Sequence, residues 1–164
     1  LIPLGASTSV GALGFVAAVG ELVEQNVRPD VIVHASSSGG TQAGLVAGAA
    51  LHGLDTRVIG VSADDPATAI AATVRTLVRG IAGLESFDGK IEVDDRRVGD
   101  GYGVPTGESR EAQRLAARTE ALFVDHTYTA KAFGALIAYL REQRFAPGET
   151  VLFWHTGGQV GLFA

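Results

Sequence analysis

Apolar and polar positions along the chain follow two patterns, short apolar runs and longer stretches with helical spacing. The short runs predict strands at residues 31–35, 57–63, 91–94 and 150–156, with a strand end at 1–4 and an extended piece at 122–124. The longer stretches predict helices at residues 10–25, 41–52, 65–83, 108–120 and 128–143, the third capped by Asp65 with Pro66 in its first turn. Because strand and helix alternate without a hairpin signature, the sequence predicts an α/β fold in which helices cover a parallel sheet.

Length and composition favour one compact domain that binds a small ligand rather than a nucleic acid or a membrane. The 164 residues are 46% hydrophobic and include 22 glycines, which is typical of a compact α/β protein. The net charge of −5, with no basic cluster beyond Arg96-Arg97, argues against a nucleic-acid partner and favours a small ligand. The absence of cysteine excludes disulfides and thiol chemistry, and a cytoplasmic location is expected. No apolar run approaches the roughly 20 residues of a membrane span, so no membrane association is expected.

The loop at residues 35–41, ASSSGGT, lies between a predicted strand and a predicted helix. Its small residues let the backbone turn sharply and approach a ligand, and the free N–H groups at the start of the helix favour an anion. The nucleotide fingerprints G-x-G-x-x-G, with an acidic residue downstream, and G-x-x-x-x-G-K-[ST] do not occur. The loop therefore indicates either a phosphate site for another kind of ligand or an ordinary connection from strand to helix.

Three further segments are expected beside this loop, because ligands gather at the carboxyl ends of the strands in such sheets. They are the glycine-rich residues 99–107, residues 125–129 and residues 155–158. The four histidines lie on different elements, and neither H-E-x-x-H nor G-x-S-x-G occurs, so no metal site and no serine hydrolase is predicted. Asp94 and Asp95, with the two arginines that follow them, are expected to form a solvated charged turn.

Five blocks of sequence carry a resemblance that spans the chain. They are IPLGAS at 2–7, ASSSGGT at 35–41, GYGVP at 101–105, YTAKA at 128–132 and HTGG at 155–158. In this order they resemble successive blocks of the D-cysteine desulfhydrase / 1-aminocyclopropane-1-carboxylate deaminase family. The resemblance implies a pyridoxal-phosphate enzyme of the tryptophan-synthase-β type, fold type II, with a Rossmann-like parallel sheet. Residues 1–164 would form a single unit, the C-terminal half of the family's usual length.

The chain also lacks methionine and opens inside an apolar segment, so we expect it to be a piece of a longer protein whose upstream half is absent. Pyridoxal chemistry needs a lysine amine that holds the cofactor and acts as a base at Cα. Only Lys90 and Lys131 are present, and the family's Schiff-base lysine lies upstream of the matched blocks. We therefore expect this chain to lack that lysine and to be inactive alone.

The resemblance also implies which residues hold the cofactor phosphate. Ser37, Ser38, Gly39, Gly40 and Thr41 would do so, mainly through backbone N–H groups. Ser37 departs from the family pattern, because glycine is common at its position.

Four other residues receive roles from the resemblance. Thr156 would place its hydroxyl at the pyridine nitrogen, where a neutral partner suits the elimination of a good leaving group. Tyr102 and Tyr128 would be the two active-site tyrosines, which donate to the substrate carboxylate or move a proton if the phenol pKa falls below about 10. Thr129 favours the desulfhydrase branch, because the deaminase branch has a glutamate after the second tyrosine.

The resemblance therefore implies that the complete protein is a pyridoxal-phosphate lyase, D-cysteine desulfhydrase. It would remove the Cα proton of a small amino acid, expel sulfide and release pyruvate and ammonia, and it would be a homodimer. Two other reactions stay open on the same scaffold, 1-aminocyclopropane-1-carboxylate deamination and sulfite elimination from cysteate. From a different class, the isolated chain would be a non-catalytic module that binds a phosphate-bearing ligand.

Overall fold

The computed structural model describes residues 2–158, which form a four-stranded parallel sheet with helices on both faces. The strands are β1 (Val31–Ser36), β2 (Arg57–Ser62), β3 (Glu92–Asp94) and β4 (Val151–Trp154), in the spatial order β3-β2-β1-β4. The helices are α1 (Ser9–Glu24), α2 (Gly40–Leu51), α3 (Ala67–Arg79), α4 (Gly107–Glu120) and α5 (Thr129–Arg141). The predicted fold class is confirmed. Among these described helices, none combines the length and apolar character needed to cross a membrane.

The alternating side chains of β1 divide the core into two layers. Ile32 packs into a cluster with α1, α2 and α3, whereas Val31 and Val33 pack against α5 on the opposite face. Since β1 pairs with β2 on one side and β4 on the other, the chain reverses its direction of winding at β1. Ligands bind at such a switch point, outside the carboxyl ends of the strands.

Glycine brings α1 and α2 into close contact. A Cβ atom on Gly44 would lie 2.4 Å from the carbonyl oxygen of Ala12 and 2.5 Å from the Cβ of Phe15. The α1 helix is itself anchored at its start, where the Thr8 hydroxyl accepts a hydrogen bond from the Gly11 N–H at 2.9 Å. Close packing of these two helices fixes the first turn of α2 at the end of β1.

Three of the predicted extended segments differ from the structure. Residues 2–4 form no strand, because Pro3 leads into a single 3₁₀ turn at Leu4–Ala6; Leu1 lies outside the described residues. Residues 122–124 form no strand either. The last predicted strand is present but shorter, as β4, and it is half-buried because it lies at the edge of the sheet.

The predicted bounds of α3 also need correction. The helix follows Pro66 and ends at Arg79, before Gly80, rather than running to Gly83. Asp65 does not cap it; the carboxylate of Asp95 does, by accepting from the Ala67 N–H at 2.8 Å. The cap thus comes from a residue 28 positions away, which local sequence does not indicate.

The expectation of a solvated charged turn is wrong for Asp94. This carboxylate is only 5% exposed and accepts hydrogen bonds from the Tyr139 hydroxyl at 2.6 Å and from Arg96 Nη2 at 2.7 Å. Burial raises its pKa, but the bonds from Arg96 and Tyr139 outweigh burial and hold the pKa of Asp94 well below its usual value. Arg97 is also largely buried, with its side chain 14% exposed and paired with Glu108 at 2.7 Å. The turn therefore anchors β3 to α4 and α5.

Candidate functional site

A cavity of about 710 Å³ opens at the carboxyl ends of β1, β2 and β4. The structure places all eight predicted site residues in its lining: residues 37–41 after β1, Thr156 after β4, and the pair Tyr102 and Tyr128. Its volume lies in the range of sites for small molecules and cofactors. The cavity therefore brings together residues that are far apart in sequence, as the resemblance implies.

The first turn of α2 supplies an anion-binding end to this cavity. Gly39 has φ +82°, a left-handed conformation that glycine adopts without strain, and it precedes the helix without a side-chain cap. Within residues 2–158, the N–H groups of Gly40, Thr41 and Gln42 have no hydrogen-bond acceptor. The first N–H group of α2 that has an acceptor is that of Ala43, which donates to Gly39 O at 2.9 Å. Three free donors and the positive end of the helix dipole favour a phosphate here.

Small neighbours keep this turn open to the cavity. A Cβ on Gly40 would lie 2.7 Å from Ser7 Oγ, and a Cβ on Gly5 would lie 2.4 Å from Ser38 Oγ. Ser7 Oγ in turn donates to Ser38 Oγ at 2.7 Å, so residues 5–7 form a wall behind the loop. The first sequence block thus supports the second, and a larger side chain at Gly40 has no room.

Thr156 lies at another side of the cavity, on the turn that follows β4. The neighbouring His155 holds this turn, because its Nδ1 accepts from the Gly157 N–H at 2.9 Å and its Nε2–H donates to Phe123 O at 3.0 Å. Both ring nitrogens are therefore used for structure. Thr156 is exposed and presents a neutral hydroxyl to the cavity.

The two tyrosines form a hydrogen-bonded pair at the mouth of the cavity. Their hydroxyl oxygens are 2.5 Å apart, and their rings contact edge to face with centroids 5.6 Å apart. Burial, the bond from Tyr102 and the negative charges of Asp64 and Asp125 raise the pKa of Tyr128 well above its usual value. The lowered phenol pKa that the sequence analysis set as the condition for moving a proton is not met, and the Tyr128 hydroxyl is a hydrogen-bond donor.

Asp125 fixes the start of α5 and the position of Tyr128. Its carboxylate accepts from the N–H groups of Thr127, Tyr128 and Thr129 at 2.8–2.9 Å and from the Thr129 hydroxyl at 2.7 Å. Although burial acts in the opposite direction, these bonds lower the pKa of Asp125. Thr129 is 1% exposed and lies outside the cavity lining, so its hydroxyl supports Asp125.

Asp64 is a lining residue that the sequence analysis did not select. It follows β2, and its carboxylate accepts from Ser37 Oγ at 3.2 Å. Among the described residues that line the cavity it is the only carboxylate. Its place after a predicted strand is the signal that would have identified it.

A family model described as "Pyridoxal-phosphate dependent enzyme" matches residues 2–157 of the chain. The chain belongs to this family. The match covers the cavity lining from Leu4 to Thr156, and it confirms pyridoxal phosphate as the predicted cofactor.

The relatives of this chain are named after two different activities. It is 38% identical to a Pyrococcus furiosus protein named "Putative 1-aminocyclopropane-1-carboxylate deaminase", over 99% of the chain and 51% of the relative. It is 36% identical to the Salmonella typhi "D-cysteine desulfhydrase", over 100% of the chain and 52% of the relative. A solved structure described as "Crystal Structure Analysis of the ACC deaminase homologue" matches with a TM-score of 0.87 and 35% identity, over 98% of the chain and 49% of that structure. The chain thus spans about half the length of these relatives.

The residues present fit pyridoxal phosphate. The three free N–H groups at the start of α2 suit its phosphate, and the glycine at position 40 lets Ser7 pack directly against this turn. The Thr156 hydroxyl suits its ring nitrogen, on a different strand end of the same cavity. The family's cofactor therefore has a partner for each of its two polar ends.

Neither lysine of the described chain lines the cavity. Lys131 is buried, with its ammonium bonded to backbone carbonyls, and Lys90 has a side chain that is 83% exposed beside Glu92. Lys90 borders a second, smaller cavity of about 260 Å³ near the amino end of β2, which contains no predicted site residue.

Proposed function

We propose that the complete protein is a pyridoxal-phosphate-dependent carbon–sulfur lyase, a D-cysteine desulfhydrase, and that this chain is its C-terminal half. The observation that carries the proposal is the single cavity in which a phosphate-binding helix start, a neutral hydroxyl and a tyrosine pair converge. The cytoplasmic location and the homodimer expected from the sequence are part of the same proposal. The desulfhydrase relative from Salmonella typhi supports the choice of reaction.

The protein would hold the cofactor at two ends. Backbone N–H groups of Gly40 and Thr41 would receive the phosphate, and the Thr156 hydroxyl would pair with the ring nitrogen. When bound, pyridoxal phosphate supplies an electron sink for the pair left at Cα after proton loss. A neutral hydroxyl does not force the ring nitrogen to stay protonated, which suits the expulsion of a good leaving group such as sulfide.

Thr129 supports the desulfhydrase over the deaminase. Its hydroxyl is bonded to Asp125 and buried, so no carboxylate from this position reaches the ring nitrogen. Asp64, the only carboxylate among the described lining residues, is bonded to Ser37 beside the phosphate loop. The ring nitrogen of a bound cofactor would therefore pair with Thr156 rather than with an acid.

The tyrosine pair acts on the substrate as a donor of hydrogen bonds. Because the pKa of Tyr128 is raised, its hydroxyl stays protonated and donates to a substrate carboxylate or to a leaving group. Tyr102 shares a hydrogen bond with it and is 57% exposed, so it reaches the same space from the solvent side. In the proposed reaction, a lysine upstream of this chain would remove the Cα proton.

The second candidate is 1-aminocyclopropane-1-carboxylate deaminase, which the Pyrococcus furiosus relative and the solved homologue favour. The two activities are distinguished by their products. A desulfhydrase releases sulfide and pyruvate from D-cysteine, whereas a deaminase releases ammonia and no sulfide from the cyclopropane. The complete protein is loaded with pyridoxal phosphate and given each substrate in parallel, with L-cysteine as the stereochemical control. Sulfide from D-cysteine alone supports the proposal; ammonia from the cyclopropane alone refutes it.

The position of the lysine is tested in the same preparation. Borohydride reduction fixes the cofactor to its lysine, and peptide mass analysis locates it. We expect attachment upstream of this chain; attachment at Lys90 or Lys131 contradicts the proposal that the chain lacks the lysine.

A further inference from the structure

The loop that carries Tyr102 has little regular structure of its own. It leads from Val98 to Thr106 and contains Gly99, Gly101 and Gly103, with φ values of +70°, +131° and +75°. Glycine adopts such angles without strain, but it also has the largest backbone freedom in the unfolded or detached state. The position of the Tyr102 hydroxyl, 2.5 Å from that of Tyr128, therefore needs an external support.

Lys131 provides contacts on both sides of Gly99. Its Nζ donates to Val98 O at 2.8 Å and to Gly101 O at 2.8 Å, and it lies 3.4 Å from Ala63 O at the end of β2. The ammonium has three N–H donors, so these three carbonyls match its capacity. The loop is thus tied to α5 and to the sheet through a single side chain.

The cost of burying Lys131 argues that these bonds matter. The residue is only 2% exposed, and desolvation lowers its pKa, while the negative charge of Asp64 opposes that shift. An apolar side chain of similar length would avoid the desolvation penalty but would leave the Val98 and Gly101 carbonyls without this donor. A buried ammonium is therefore placed where the loop backbone needs donors.

Lys131 and Tyr128 both lie at the start of α5. Lys131 lies three residues after Tyr128, which is held by Asp125 at the start of α5. The first turn of α5 thus fixes Tyr128 directly and fixes Tyr102 through Lys131. The backbone positions of the two tyrosines are therefore both set from this turn.

We propose that Lys131 is a positioning residue that ties the Val98–Gly101 backbone to α5 and so sets the Tyr102 hydroxyl against Tyr128. The tether rests on the observed contacts; its consequence for turnover rests on the proposed lyase function. Lys131 is not among the described residues that line the cavity, so its role would be exerted through Tyr102.

The test compares Lys131→Met with Lys90→Met in the complete, cofactor-loaded protein. Lys90 is the matched control, since it is exposed and its nearest partner is Glu92 at 3.6 Å. Hydrogen–deuterium exchange is measured for residues 98–106, together with kcat and KM for D-cysteine. We expect at least about tenfold faster exchange and at least about tenfold lower kcat for Lys131→Met, a loss within the range of positioned proton transfer. We expect neither change for Lys90→Met.

A double substitution separates positioning from a general loss of structure. If Lys131 acts through the Tyr102 hydroxyl, adding Lys131→Met to Tyr102→Phe lowers kcat by no more than about twofold beyond Tyr102→Phe alone, because coupled residues are not additive. Independent, multiplicative losses overturn the proposal, and so does unchanged exchange in residues 98–106. If Lys131→Met does not fold, Lys131→Gln, which keeps two N–H donors, is compared with wild type in the same way. If the protein shows no lyase activity, the proposed function fails, and the exchange measurement still decides whether the tether exists.

Discussion

Replacing Gly40 with alanine tests whether the start of α2 holds the cofactor phosphate. The new Cβ would lie 2.7 Å from Ser7 Oγ and 3.2 Å from Ser7 Cα. Rotation of the Ser7 hydroxyl relieves the first contact but gives up its 2.7 Å bond to Ser38, worth about 0.5–1.5 kcal/mol. The second contact involves backbone, so the helix start must shift, at an overpacking cost of about 1–3 kcal/mol. If about 1.4 kcal/mol of this cost is lost from the free energy of phosphate binding, the cofactor binds about tenfold more weakly.

The assay is equilibrium binding of pyridoxal phosphate to the complete apoprotein, followed by absorbance, with urea unfolding in parallel. Gly14→Ala is the matched control, because no atom lies within 4 Å of its built Cβ and the residue is inside α1. That control is expected to raise stability by about 0.5–1 kcal/mol and leave cofactor affinity unchanged. If Gly40→Ala binds the cofactor as tightly as Gly14→Ala, the phosphate is not held at the start of α2.

Three further outcomes follow from the contacts of the site and its supports. Tyr128→Phe keeps the ring but removes the hydroxyl that meets Tyr102, so sulfide release from D-cysteine is expected to fall about 100-fold with cofactor absorbance retained. Asp125→Asn replaces a carboxylate that accepts four hydrogen bonds and is expected to cost about 2–3 kcal/mol in urea unfolding at pH 7. Tyr139→Phe removes a 2.6 Å donor to Asp94 and is expected to cost about 1.5–3 kcal/mol at pH 7. Since the folded pKa of Asp94 lies below its unfolded value of about 3.9, that loss is largest above pH 4 and shrinks as the pH falls toward the folded pKa, which urea unfolding across pH checks.

The fold was predictable because local pattern and global topology agree. The apolar runs that become β1 and β2, and the spacing that becomes α1, α2 and α5, follow directly from burial on a sheet with two covered faces. The prediction fails where an element depends on a distant partner. Asp94 looks like part of a charged surface turn in sequence, and it is buried because Tyr139, 45 residues later, donates to it.

The site shows the same division between local and distant information. The loop at residues 35–41 can be recognised in the sequence by its run of small residues. The resemblance identifies Tyr102, Tyr128 and Thr156 as further site residues, and all three line the cavity. The role of Lys131 is not visible in the local sequence, since its carbonyl partners lie 30 or more residues away. Asp64 carried no motif at all. Residues that support a site through backbone contacts leave no signature in one sequence.

The protonation states in the cavity limit what this chain contributes to the proposed reaction. The raised pKa of Tyr128 disfavours the ionised phenol, so its hydroxyl donates a hydrogen bond rather than acting as a base. The two ring nitrogens of His155 are bonded to Gly157 and Phe123. Asp64 is bonded to Ser37 beside the phosphate loop. Within residues 2–158, the groups around the cavity therefore fit anion binding, a neutral partner for the ring nitrogen and hydrogen-bond donation, and under the proposed function the Cα proton would be removed by the lysine proposed to lie upstream.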